Sequence, residues 1–193
     1  MIPFLPGAGS PISRRCWLLG LTCITALSAA CTPTFNWREI RSDSERFVVL
    51  LPSRPSSMSR EVSLGEFSVR MSMTGARADE AMFTVGAAQL ASDDAALREQ
   101  ALQAMSVAML RNIGASDPAS RERAVQVLDS GGALRATQSA RAIVAPGRVA
   151  DRPVLMQALF IGRADRVWQV VAITAPGQSD QGQMLLDSFR LIE

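Results

Sequence analysis

Residues 154–175, VLMQALFIGRADRVWQVVAITA, decide the fold. The runs 154–161 and 167–175 are long and strongly apolar, and Gly162, Arg163, Ala164 and Asp165 make a hairpin turn between them. Short runs rich in Val, Ile, Leu and Phe read as strands. Side chains alternate between the two faces of a strand. Here both alternating sets are apolar, so both faces of the sheet must be covered. Two such strands joined by a tight turn pair antiparallel and belong at the centre of the sheet.

Working outward, 46–51 (RFVVLL) is a further strand with two apolar faces, stopped by Pro52. Residues 59–64 and 67–74 flank Gly65-Glu66, and Phe67, Val69, Met71 and Met73 alternate, which predicts a hairpin with one buried face. Residues 81–90 read as the next strand, with Phe83, Val85 and Ala87 on one side. The period then changes. Leu97, Ala101, Met105, Ala108, Met109 and Ile113 recur at helical spacing. Ser92 is expected to cap this helix, Asp93 and Asp94 to sit against its N-terminal dipole, and Gly114 to follow its end. Beyond a polar connector holding Pro118, residues 125–128 predict a short strand and 129–132 a turn. Residues 134–144 suit a strand between Gly131-Gly132 and Pro146-Gly147, although Ala and Arg also favour helix there. Pro176-Gly177 ends the last apolar strand, and Ser179 or Asp180 caps a terminal helix with Met184, Leu185 and Phe189. The expected class is α+β: a twisted antiparallel β-sheet in the order β-β-β-β-α-β-β-β-β-α, with helices packed on it.

The N-terminus carries an address. Arg14 and Arg15 precede an apolar stretch, 16–27, and small residues lead to Cys31. This is the layout of a secretory signal, and the stretch falls short of the roughly 18 apolar residues of a spanning helix. Leu27-Ser28-Ala29-Ala30-Cys31 resembles a bacterial lipobox, with Ser28 where a large aliphatic residue is usual. The resemblance implies diacylglycerol on the Cys31 thiol. The other reading is ordinary cleavage after Ala30, leaving that thiol free. Cys16 and Cys23 leave with the signal, so no internal disulfide can form, and acylation explains the single remaining thiol. Thr32 rather than Asp after the cysteine implies sorting to the outer membrane. Ser13-Arg14-Arg15 and the residues after it also resemble a twin-arginine export signal. The expected organisation is a lipoprotein signal at 1–30, a tether at 31–43 in which Trp37 and Ile40 suit the start of a strand, and one α+β domain at 44–193.

Phe47-Val48-Val49-Leu50-Leu51-Pro52 resembles the opening strand of the Mog1/PsbP-like superfamily. The amphipathic helix after four strands, the 154–175 hairpin and the terminal Asp187-Ser188-Phe189-Arg190-Leu191 follow the same order. The resemblance implies an α/β/α sandwich that binds a partner and shares no catalytic motif.

Composition excludes much chemistry. Histidine and tyrosine are absent, and every one of the 20 basic residues is arginine. No Ser-His-Asp site, Cys-His site or histidine-ligated metal can be built. No phosphate loop, dinucleotide fingerprint or nucleophile elbow follows a strand. Without Arg14 and Arg15 the chain holds 18 arginines against 18 acids, which leaves no electrostatic footprint for nucleic acid. Asp93-Asp94 lacks the spacing of a calcium loop. Met71, Met73 and Met58 are soft ligands that suit Cu(I), but methionine is a normal core filler, and that is the reading preferred for them. No cofactor, metal or catalytic residue is therefore expected. The sequence points to a non-catalytic binding or scaffolding module, anchored by lipid at Cys31 to the outer membrane and facing the periplasm. Its expected partner is an envelope protein, met through a sheet edge or the surface around the long helix. The alternative is a carrier of a small ligand or lipid, with a cavity between the sheet and the 97–113 helix.

Overall fold

The computed structural model describes residues 34–65 and 67–193. Ten strands form a single sheet. They are β1 (Arg38–Ser42), β2 (Phe47–Leu51), β3 (Ser56–Leu64), β4 (Phe67–Ala78), β5 (Ala81–Gln89), β6 (Ala119–Leu128), β7 (Leu134–Val149), β8 (Arg152–Arg163), β9 (Arg166–Thr174) and β10 (Arg190–Ile192). Two helices accompany them, α1 (Ala95–Asn112) and α2 (Ser179–Ser188). The class is mixed α+β and strand-dominated. The order across the sheet is β1-β2-β10-β6-β7-β8-β9-β5-β4-β3. As expected, β8 and β9 lie in its interior.

The two apolar faces are covered by different elements. Leu159, Ile161, Val170 and Phe83 face one side, where α2 (Leu185, Leu186) and the aromatic pair Phe35 and Trp37 pack on them. Met156, Phe160, Val171 and Met71 face the other, beneath α1 (Ala101, Met105). The sheet curls towards α2. Trp168 Nε1 on β9 donates to the Glu45 carbonyl at 2.8 Å, joining β9 to the β1–β2 turn, well apart in the sheet order. The Leu50 N–H donates to Ser188 Oγ at 2.9 Å and ties β2 to the end of α2.

Several readings need correction. The sheet is not wholly antiparallel: β10 pairs parallel with β6 through Leu191 and Val127. Residues 190–192 continue past α2 as a strand seated between β2 and β6. The connector before residue 125 is already strand, since β6 begins at Ala119, and its first residues are exposed on both faces. The helix cap is Asp94, whose carboxylate accepts from the Leu97 N–H at 2.7 Å, and not Ser92. The cap is Asp94 because it is the extended residue (φ −111°, ψ 128°) directly before the first helical residue, Ala95. Gly114 does follow the helix, with φ of 54°.

Pro146-Gly147 does not break β7, which runs on to Val149. The Pro146 carbonyl accepts from the Ser116 N–H at 3.1 Å, on the side where pairing with β6 has ended at Val144. The missing proline N–H therefore costs no ladder bond. Gly147 meets the end of α1: a Cβ there would lie 2.5 Å from the Ile113 carbonyl oxygen.

Of the stretch read as a tether, residues 31–33 lie outside the described residues. From Thr34 it belongs to the folded unit: the Asn36 N–H donates to the Pro52 carbonyl at 2.8 Å, and Arg38–Ser42 is β1.

Candidate functional site

The lipid-attachment residue, Cys31, and the signal at 1–30 lie outside the described residues. Among the described residues no helix is long and apolar enough to cross a membrane. The surfaces on which a partner could act include strand β3 and, among the clefts of the described residues, the three that follow.

Strand β3 is one of the two edges of the sheet, β1 being the other, and pairs with β4 alone. Its first six residues are exposed, so neither of its faces is covered along most of its length. One face carries hydroxyls bonded across to β4: Ser57 to Thr74 at 2.9 Å, Ser59 to Ser72 at 3.1 Å and Ser63 to Ser68 at 3.3 Å. The other face sets Met58 opposite Met73 and Val62 opposite Val69. Arg60 and Glu61 sit at the middle of the strand, one on each face. The serine alternation in SSMSREVSL was the available sign of a strand with one wholly solvated face.

Beside the start of β3, the chain crosses β4, and Ser53 Oγ donates to the Arg77 carbonyl at 2.8 Å. This leaves an open groove of about 520 Å³ lined by Met58, Met73 and Met82. The three methionines singled out as soft ligands fall on one face, but they differ in setting. Met58 is 60% exposed, while Met71 is buried with its sulfur against Gly86. Met71 thus acts as core filler.

A second groove, also about 520 Å³, opens at the C-terminal end of α1. Met109, Ile113, Val154 and Ile173 give it an apolar floor, with Asp79 and Arg152 on its rim. This is where the structure comes nearest to the space required by the carrier reading. Further back, under the middle of α1, Ala101 and Met105 are packed into the core.

The third cleft, about 850 Å³, lies between the β1–β2 turn, the β8–β9 turn and the C-terminus. Arg41, Arg46, Arg98, Arg163 and Arg166 line it. Most of these guanidinium groups are already engaged. Arg41 pairs with Asp43 at 2.8 Å, Arg98 with Asp93 and Arg163 with Glu193. Arg166 reaches Glu45 at 3.6 Å and donates to the Ser44 carbonyl at 2.9 Å. The cleft is a charge-balanced joint between turns, not a cradle of free cations. At its margin, in the turn after β6, the Ala133 N–H and then the Arg135 guanidinium hold the Asp129 carboxyl below its ordinary value.

No family model matches the chain. No curated protein matches it. Among solved structures, the chain is similar to cyanobacterial PsbP (CyanoP) from Synechocystis sp. PCC 6803, at 13% identity and a TM-score of 0.44 over 84% of this chain and 95% of that one. It is also similar to a Pseudomonas aeruginosa protein of unknown function, at 11% identity and a TM-score of 0.35 over 76% of this chain and 88% of that one.

Proposed function

We propose that the chain is a lipid-anchored, non-catalytic binding module of the periplasm, held at the outer membrane by an acylated Cys31, on a Mog1/PsbP-like α/β/α domain. The observation that carries the binding role is the nine-residue edge strand β3, exposed over its first six residues and unpaired on its outer side among the described residues. Such an edge offers main-chain donors and acceptors to a partner. The lipobox resemblance at 27–31 supports the anchor, and the element order and opening strand support the family reading. Each acyl chain contributes about 0.8 kcal/mol per buried CH₂, so several chains hold a terminus firmly. The anchor predicts that Cys31→Ser moves the protein from the membrane fraction to the soluble periplasm. Fractionation of cells that make the variant checks this, and its persistence in membranes would overturn the anchor.

A second reading, a carrier of a small apolar ligand, is favoured by the groove at the end of α1. Its floor of Met109, Ile113, Val154 and Ile173 is apolar, and the volume is within the roughly 300–1,000 Å³ of known ligand sites. A lipid co-eluting with the protein from its own membranes, and lost in Met109→Glu, would favour this reading over the edge.

A further inference from the structure

We infer that β3 docks an extended segment of a different protein, running antiparallel to it, in which aliphatic and hydroxyl side chains alternate around an adjacent basic–acidic pair. The inference rests on the binding-module reading and names its edge and the chemistry of its partner.

The free backbone groups can be assigned. Only two residues link Leu64 to Phe67, and a hairpin with so short a link closes on a hydrogen-bonded pair. Bonded and non-bonded pairs then alternate along the ladder. The N–H and C=O groups of Ser63, Glu61, Ser59 and Ser57 therefore point away from β4, to the open side. The hydroxyl bonds agree: they join Ser57 to Thr74, Ser59 to Ser72 and Ser63 to Ser68, the pairs whose side chains come closest.

A second copy is a poor occupant. Two copies pairing through β3 about a two-fold axis keep the same faces together, so only positions of like parity can meet. The registers centred on Arg60 and Glu61 oppose one of them to its own mate, and in the others Arg60 meets only Ser56, Met58, Val62 or Leu64 and Glu61 only Ser57, Ser59 or Ser63, so no register gives either charge a counter-charge. Like charges directly opposite are destabilising. Charge at an edge is a known guard against self-pairing. The same two residues favour a foreign strand with an acid opposite Arg60 and a base opposite Glu61. Opposite Met58 and Val62 that strand needs aliphatic residues, and opposite Ser57, Ser59 and Ser63 small hydroxyl ones.

The probe is a labelled synthetic peptide, Thr-Val-Lys-Glu-Thr-Leu-Thr, which places Lys opposite Glu61 and Glu opposite Arg60. Its control exchanges the Lys and Glu and keeps the composition. Titrated by fluorescence anisotropy against the full chain in detergent, the matched peptide should bind about tenfold more tightly than the control, given two reversed charge pairs. R60E combined with E61R should reverse the preference. Ser59→Pro should abolish binding of both, because it removes an outward N–H and leaves the main-chain bonds to β4 intact, at the loss of the exposed Ser59–Ser72 hydroxyl bond. Its unfolding midpoint, followed by tryptophan fluorescence, shows whether it has folded. Equal affinity for the two peptides, or binding that survives in folded Ser59→Pro, would overturn the inference. So would failure of both to bind the parent chain, whereas retention of Cys31→Ser in membranes would count against the anchor alone.

Discussion

Phe83→Ala should cost about 3–5 kcal/mol of stability, the usual range for removing a fully buried aromatic side chain. Phe83 has no exposed surface and stands on β5 among the residues that face α2. Trp37 meets it edge-on at 5.5 Å between ring centroids and 79° between planes. Phe35 meets it at 6.3 Å and 90°. These contacts fix residues 34–37 onto the sheet, and the strand β1 begins directly after them. The change therefore leaves a cavity and also loosens the start of the fold. Domains are stable by only about 5–15 kcal/mol, so the loss is a large fraction of the total. Equilibrium urea unfolding, read by tryptophan fluorescence, measures it. Phe83→Leu should cost clearly less, since most of the volume stays. A loss under about 1 kcal/mol for Phe83→Ala would mean that the core is not centred where the structure puts it.

Gly147→Val should also destabilise, by about 2–4 kcal/mol from overpacking together with a lost hydrogen bond. The sign is what makes this test sharp. Valine is favoured in strands and glycine is not, so strand propensity alone predicts a gain. The structure predicts a loss because β7 and the end of α1 touch backbone to backbone at Gly147. A Cβ there would lie 2.5 Å from the Ile113 carbonyl oxygen and 2.8 Å from the Ile113 side chain. The neighbouring Arg148 N–H donates to that same carbonyl at 2.7 Å. Any side chain at 147 must push the helix end away and break this bond. Hydrogen exchange should show the last turn of α1 losing protection before the rest of the helix. Increased stability of Gly147→Val would contradict the packing described.

How far the sequence disclosed these features depended on whether the cause was local. The central strands were legible because β8 and β9 are short runs, bounded by turn residues, with apolar side chains on both faces, as a strand covered on both sides requires. Helix α1 was legible from its period, although Ser92, Asp93 and Asp94 are all plausible caps and only the chain path selects Asp94. Strand β10 had no local signature. Three residues carry no period, and Arg190–Ile192 is a strand only because β2 and β6 lie on either side of it. The first part of β6 was hidden for a related reason: ASRE is exposed on both faces and carries no apolar alternation. Pro146 looked like a terminus because proline usually ends a strand. Whether it does depends on what stands beside it, and here pairing with β6 has already ended at Val144.

The candidate site shows the same division. The alternating serines of β3 lay open in the sequence, but the freedom of its outer edge is a property of the whole sheet order. Conversely, five arginines lining one cleft look like an anion site until their acids are placed. Asp43 and Asp93 lie only two and five residues from Arg41 and Arg98, but Glu193 is 30 residues from Arg163, and that pairing is visible only after folding.

The central claim, a binding module held to a membrane by its own N-terminal lipid, meets its most direct test in one intact mass. The protein should be extracted in mild detergent from the membranes of the cells that make it and weighed whole. The account predicts a chain running from Cys31 to Glu193, heavier than its sequence by the mass of a diacylglycerol with or without a further acyl chain. A chain of any other start, or one that begins at Cys31 and carries no lipid, would contradict it.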